Sequence, residues 1–128
     1  TIEADPTHVA CARKSFENFH ASNIIQMEGT FEVELEKAIQ MSPSHTLVYV
    51  DGNHSEEATL RYFHWLIENE NISIIVFDDI YWSKGMRNAW RTICADNRVQ
   101  LSLDFYWFGV IFMRGRMKKE HFDLRWPR

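Results

Sequence analysis

Cysteine is scarce: Cys11 and Cys94 are the only two in 128 residues. Two thiols do not make a disulfide framework in a chain this long. Both fall in predicted helices, so both are expected to be free and buried. No apolar run approaches the roughly 18 residues that a membrane-crossing helix needs, and no basic-then-apolar leader opens the chain. The expectation is a soluble, intracellular protein of the cytoplasm with no membrane partner. Basic charge is not in excess either, since the formal net charge is −4 and the pI about 5.8. Six of the 14 Lys and Arg nevertheless fall from Arg114 onward, against two of the 18 acids. This segment, 114–128, interleaves Arg114, Arg116, Lys118, Lys119, Arg125 and Arg128 with Phe122 and Trp126. Such a mixture suits nucleic acid, but the acidic body argues against it. A solvated basic tail, packing its two aromatics on its own domain or on a partner, is expected instead. No internal repeat or low-complexity segment is found. His8, His20, His45, His64 and His121 lack a metal spacing such as H-E-x-x-H, so they read as surface or packing residues.

What is present is apolar material: 45% hydrophobic and 14% aromatic residues, enough for one domain over 1–113 with a core of its own. Asp5-Pro6 is a helix-start signature, and Val9, Ala12, Phe16 and Phe19 form an apolar stripe over a helix from Pro6 to Phe19. A strand follows over Ile24–Glu28, then a helix over Phe31–Gln40. Ser55 caps a third helix, with Glu56 and Glu57 in its first turn and Leu60, Phe63 and Ile67 as its buried stripe. Ile72–Phe77 reads as a strand and Ile80–Gly85 as a loop. Met86, Trp90 and Ile93 mark a fourth helix ending near Ala95. Val99–Leu103 and Phe105–Met113 read as an antiparallel hairpin turning around Asp104. Strands alternating with helices imply an α/β fold: a doubly wound, mostly parallel sheet closed by that hairpin.

The stretch Thr46–His54 carries the strongest functional signal. Its apolar start suits a strand buried on both faces, and it stops abruptly at Asp51-Gly52-Asn53-His54. Ile72–Phe77 stops likewise, at Asp78-Asp79. In open α/β sheets ligands bind beyond the carboxyl ends of the strands, so these acids and His54 mark one candidate rim.

The whole pattern resembles the class I S-adenosylmethionine-dependent methyltransferases, in particular the small O-methyltransferase-like members. The residues that carry the resemblance are Ile2-Glu3-Ala4-Asp5-Pro6, Glu28-Gly29-Thr30, Val50 to Ser55, Phe77-Asp78-Asp79 and the final hairpin. The resemblance implies that Glu3 accepts hydrogen bonds from the ribose hydroxyls of S-adenosyl-L-methionine. It implies that Gly29, Thr30 and Phe31 line the adenine, and that Asp51 and Gly52 face the cofactor. The implied reaction is methyl transfer to a hydroxyl of a small molecule. Asp51, Asp78 and Asp79 stand where some members hold Mg2+, although those carry Asp-Asn where this chain has Asp-Asp. The alternative is that the Asp pair caps the following turn. His54 stands where they keep a lysine base, and would deprotonate the acceptor, unless it is only a hydrogen-bonding loop residue. Tyr81, Trp82 and Met86 either cover the substrate or pack locally.

One departure from the family is large. Its first strand and Gly-rich loop have no counterpart here, and no G-x-G motif occurs anywhere in the sequence. With Thr1 opening the chain close to the end of a strand, a fragment with impaired cofactor binding is expected. The sheet would then close up, the strands at Ile2 and Thr46 pairing directly, or borrow a strand from a second copy in a homodimer. Two other readings stand beside the enzyme: a non-catalytic α/β domain that folds or dimerises, and a nucleotide-binding or oxidoreductase relative.

Overall fold

The structure is a computed structural model that describes residues 1–113 and 118–124. Arg114, Arg116, Arg125, Trp126 and Arg128 of the expected tail lie outside the described residues. The chain divides into two compact units, Thr1–Met41 and Ser42–Arg128. No described helix is long and apolar enough to cross a membrane.

In the first unit the order is β1 (Ile2–Glu3), α1 (Pro6–Asn18), β2 (Met27–Glu28) and α2 (Phe31–Gln40). Strands β1 and β2 are parallel, with Ile2 opposite Met27 and Glu3 opposite Glu28. The start of α1 follows from its sequence. The Asp5 carboxylate accepts from the amides of Thr7 at 2.7 Å and His8 at 3.3 Å, and Pro6 occupies a position where no amide is needed. Those amide bonds hold the Asp5 carboxyl below its ordinary value. The predicted stripe is corrected at both its end and its thiol. Val9 is buried, but Phe19 is the C-cap of α1 and 84% exposed, and Cys11 is exposed as well. The strand expected over Ile24–Glu28 shrinks to its last two residues, leaving Ile25 exposed.

The second unit is a five-stranded sheet with two helices. Its elements are β3 (Thr46–Val50), α3 (Glu56–Ile67), β4 (Ile72–Asp78), α4 (Lys84–Ala95), β5 (Leu101–Asp104), β6 (Phe108–Phe112) and β7 (Glu120–Asp123), with strand order β3-β4-β6-β5-β7. β3 and β4 are parallel, β4-β6 and β6-β5 antiparallel, and β5-β7 parallel. The fold is thus α/β with a mostly parallel pairing pattern and the expected reversed hairpin. β7 was not anticipated: part of the expected solvated tail pairs with β5. Among the described residues β1 pairs with β2 and β3 with β4.

Phe63, Leu66, Ile72, Ile75, Phe77, Ile80, Ile93 and Ile111 are fully buried, each contributing roughly 1.5–3 kcal/mol of burial. In α3 the buried face is Thr59, Tyr62, Phe63 and Leu66, one position off the predicted Leu60 and Ile67, which are half-buried. The polar-looking Thr59 and Tyr62 are both buried, and Thr59 points inward because α3 packs on α4, where its hydroxyl meets Met86 Sδ at 3.2 Å. β3 is an edge strand, and it is not buried on both faces: Leu47 is 56% and Tyr49 54% exposed, while Val50 is buried. Cys94 is half-buried, not buried, and desolvation pushes its thiol up to about 11.

Gly109, in β6, is required by packing: a Cβ there would sit 2.5–2.7 Å from the Trp90 ring. Gly109→Ala is therefore expected to displace the buried indole and lower stability by about 1–3 kcal/mol, read as a lower denaturant midpoint. At the other end of α4, Asp96 accepts from Arg98 Nε at 3.0 Å, Nη2 at 2.8 Å and the Arg98 amide at 2.9 Å. The guanidinium bond is the main cause that holds the Asp96 carboxyl down at about 2. An unfolded Asp titrates near ~3.9. The pair's contribution is therefore complete above about pH 4 and lost as pH falls toward 2. Asp96→Asn should flatten that acid limb of the stability curve, by about 1 kcal/mol after solvent screening, in urea titrations at pH 2–5.

Candidate functional site

Three loops of the second unit meet on one rim. β3 and β4 are parallel, with Val50 opposite Phe77, so the residues after them, Asp51 and Asp78-Asp79, emerge side by side. β6 runs antiparallel to β4 with Phe108 opposite Asp78, which brings the β5–β6 turn, residues 105–107, to the same end. Three rim residues other than glycine take left-handed backbone angles: Asn53 at φ 44°, Asp79 at 52° and Tyr106 at 73°. Such angles cost of order 1–3 kcal/mol each and persist only where the surroundings impose them.

His54 lies between two carboxylates, its Nε2 3.5 Å from Asp51 Oδ1 and 3.9 Å from Asp79 Oδ2. The structure thus brings together His54, Asp51 and Asp79. Asp78 is engaged elsewhere: its Oδ1 accepts from the Asp79 amide at 3.0 Å, and it pairs with the Tyr49 hydroxyl. Desolvation and the bond to Asp78 push the Tyr49 phenol up to about 12, although its ring is half exposed, so it is a neutral donor at neutral pH. Among the described residues Asp51, Asp78 and Asp79 do not gather three ligand atoms around one point. The expected Mg2+ set therefore does not fit as it stands.

Beside His54, a cavity of about 170 Å³ is lined by Asp79, Tyr81, Trp82, Tyr106 and Trp107. The Tyr81 and Tyr106 rings stack at 5.1 Å, and Trp107 meets Tyr106 edge-on at 5.1 Å. Trp82 and Trp107 are 73% and 70% exposed, an unusual state for so large an apolar side chain. The cavity is held by Asp104, which is buried. Its Oδ2 accepts from the Tyr81 hydroxyl at 2.8 Å and from Trp90 Nε1 at 3.1 Å, and its Oδ1 from the Tyr106 amide at 2.9 Å. Asp104 therefore ends β5 and organises the turn instead of being the turn. Of the predicted loop residues, Tyr81 and Trp82 line the cavity, whereas Met86 is buried against α3. Tyr106 and Trp107 were missed. The sequence pattern places both inside a strand over Phe105–Met113, whereas that strand begins only at Phe108 and residues 105–107 form the turn.

Glu3, Gly29, Thr30 and Phe31 lie in the first unit. Glu3 ends β1, its Oε1 accepting from the Asp5 amide at 2.8 Å, which fixes the carboxylate at the head of α1. Gly29 follows β2 at φ 157°, where a Cβ would meet Glu34 Cγ at 2.8 Å. Thr30 is the N-cap residue of α2, but its side chain makes no capping bond, so its hydroxyl is not used up by the helix.

The fold defined by these elements is one found in methyltransferases. An SAH-bound methyltransferase of Podospora anserina, PaMTH1, superposes with a TM-score of 0.72 at 18% identity over 90% of this chain and 60% of its own. A Klebsiella pneumoniae protein assigned as an O-methyltransferase superposes with a TM-score of 0.65 at 17% identity, over 90% and 61%. The chain thus spans about three fifths of the length of these structures. No family model and no curated protein matches the sequence.

Tyr81→Phe removes one of the donors to Asp104 without changing ring packing. The expected cost is about 1–2 kcal/mol, read by thermal unfolding. An unchanged midpoint would mean that the bond contributes nothing to holding the cavity loop.

Proposed function

We propose that the chain is the S-adenosylmethionine-binding α/β part of a class I methyltransferase that transfers methyl to a hydroxyl of a small molecule. The observation that carries this reading is the rim of the second unit: an imidazole between two carboxylates, beside an aromatic-lined cavity, on a fold shared with an SAH-bound methyltransferase. Bound S-adenosylmethionine would supply an electrophilic methyl group. Glu3 would accept from the ribose hydroxyls, and Gly29, Thr30 and Phe31 would line the adenine. Asp51 and Gly52 would face the cofactor.

The acceptor would lie against Tyr81, Tyr106 and Trp107, whose faces suit a flat molecule and keep water from the reacting oxygen. His54 would take the hydroxyl proton on a ring nitrogen, and the neighbouring Asp51 and Asp79 carboxylates would offset the imidazolium charge that results. Transfer in line then needs alignment more than further chemistry from the protein. No step is routed through Mg2+, because Asp51, Asp78 and Asp79 do not offer three ligand atoms around one point. The sequence holds no G-x-G loop to cradle the methionine end of the cofactor. Binding by these residues is accordingly expected to be weak, with a Kd well above about 1 µM.

Amide chemical shifts on titration with S-adenosylmethionine test the reading. Saturable shifts at Glu3, Gly29, Asp51 and Gly52, lost in Asp51→Ala, are expected. Shifts absent at all four would remove it. Where turnover is measured, His54→Ala should lower kcat by about 100-fold, and unchanged turnover would dismiss His54 as the base.

A further inference from the structure

A second cluster lies toward the opposite edge of the same sheet; of its members only Asp104 also serves the rim, where it anchors the cavity residues Tyr81 and Tyr106. β5 and β7 run parallel, with Ser102 opposite His121 and Asp104 opposite Asp123. Alternate residues of a strand share a face, so these four side chains form a small square across the strand pair. Within it, a ring nitrogen of His121 and a carboxylate oxygen each of Asp104 and Asp123 all lie within 4.8 Å of one another. Among the described residues no other such group of three gathers. We propose that Asp104, His121 and Asp123 bind a divalent ion of the zinc type, which ties the edge strand β7 to β5.

The neighbours of these ligands are arranged as a metal site requires. Ser102 Oγ lies 2.7 Å from His121 Nδ1. With its hydrogen on Nδ1 donated to that hydroxyl, the ring keeps Nε2 as its lone-pair donor, and Nε2 is 3.4 Å from Asp123 Oδ1. A second bond that fixes ring orientation and tautomer is what metal-ligating histidines almost always have. Asp104 is 1% exposed, and its three donors, Tyr81, Trp90 and the Tyr106 amide, are all neutral. Its Oδ1 accepts only one of these bonds and retains a lone pair for an ion.

Two carboxylates balance a double positive charge, and the imidazole favours zinc, cobalt or nickel over magnesium and calcium. Ligands about 2.1 Å from one ion lie roughly 3–3.5 Å apart, so the cluster must tighten slightly. The two ligands that must move are on the exposed edge, His121 at 44% and Asp123 at 60% side-chain exposure, and they also leave an open path for entry. Water would complete the coordination.

Zinc chloride titrated into the intact chain by calorimetry, with Co2+ absorption as the spectroscopic readout, tests the site. One ion per chain is expected, with a visible cobalt band, a raised unfolding temperature and no competition from equimolar Mg2+. His121→Ala and Asp123→Asn should each weaken binding by at least about 10-fold, because each removes a ligand from an otherwise intact exposed edge. His54→Ala, at the separate rim, should leave it unchanged. Absence of saturable binding, binding that survives both edge substitutions, or binding lost with His54 would each overturn the proposal. None of these outcomes bears on cofactor binding.

Discussion

The buried carboxylate of Asp104 is the constraint on which the second unit's functional end depends. A carboxylate removed from water is costly unless its oxygens are satisfied, and here the satisfying donors come from three different segments. Tyr81 comes from the loop after β4, Trp90 from α4 and Tyr106 from the turn between β5 and β6. Meeting the needs of one group thus docks a helix, closes a turn and sets one wall of a cavity. Gly109 completes the arrangement from β6, because only a residue without a side chain lets the Trp90 ring come close enough to reach Asp104.

The backbone strain at the rim follows from the same constraint. Tyr106 holds a left-handed angle, φ 73°, while its amide is bonded to Asp104 and its ring is stacked on Tyr81. Without those two ties an extended or helical angle would be cheaper, and the aromatic faces would turn away from the cavity. Asp79, also left-handed, has its amide bonded to the Asp78 carboxylate. The strained residues and the anchored ones are neighbours, which is how a small sheet holds exposed tryptophans in fixed positions.

Much of this was legible in the sequence, for identifiable reasons. The helices declare themselves through local chemistry: Asp5-Pro6, Ser55 followed by two acids, and the stripe of Met86, Trp90 and Ile93. The strand ends at Asp51 and Asp78 are equally local, since an apolar run stopping at acids and glycine needs no partner to be read. What stayed hidden depends on register. Asp104 looked like a turn residue because nothing in its own neighbourhood says that Tyr81, 23 residues earlier, will donate to it. His121 and Asp123 looked like parts of a solvated tail because β7 exists only through its pairing with β5. The one-position error in α3 has the same origin. Thr59 and Tyr62 look polar by composition yet both are buried, Thr59 through its contact with Met86 of α4.

The edge strands show how far periodicity can mislead. Thr46-Leu47-Val48-Tyr49-Val50 is apolar throughout, which sequence logic assigns to a strand covered on both faces, yet Leu47 and Tyr49 lie open at a sheet edge. Glu120-His121-Phe122-Asp123 is almost wholly polar, which sequence logic assigns to solvent, yet it completes the sheet at its other edge. In both strands the residue types reflect chemistry as much as burial. Tyr49 meets Asp78 at the rim, and His121 meets Ser102 across a strand pair. Hydrophobic pattern therefore identifies the interior strands of this sheet reliably. At its two edges, polar partners decide what the side chains do, and those partners are found only once the register is known.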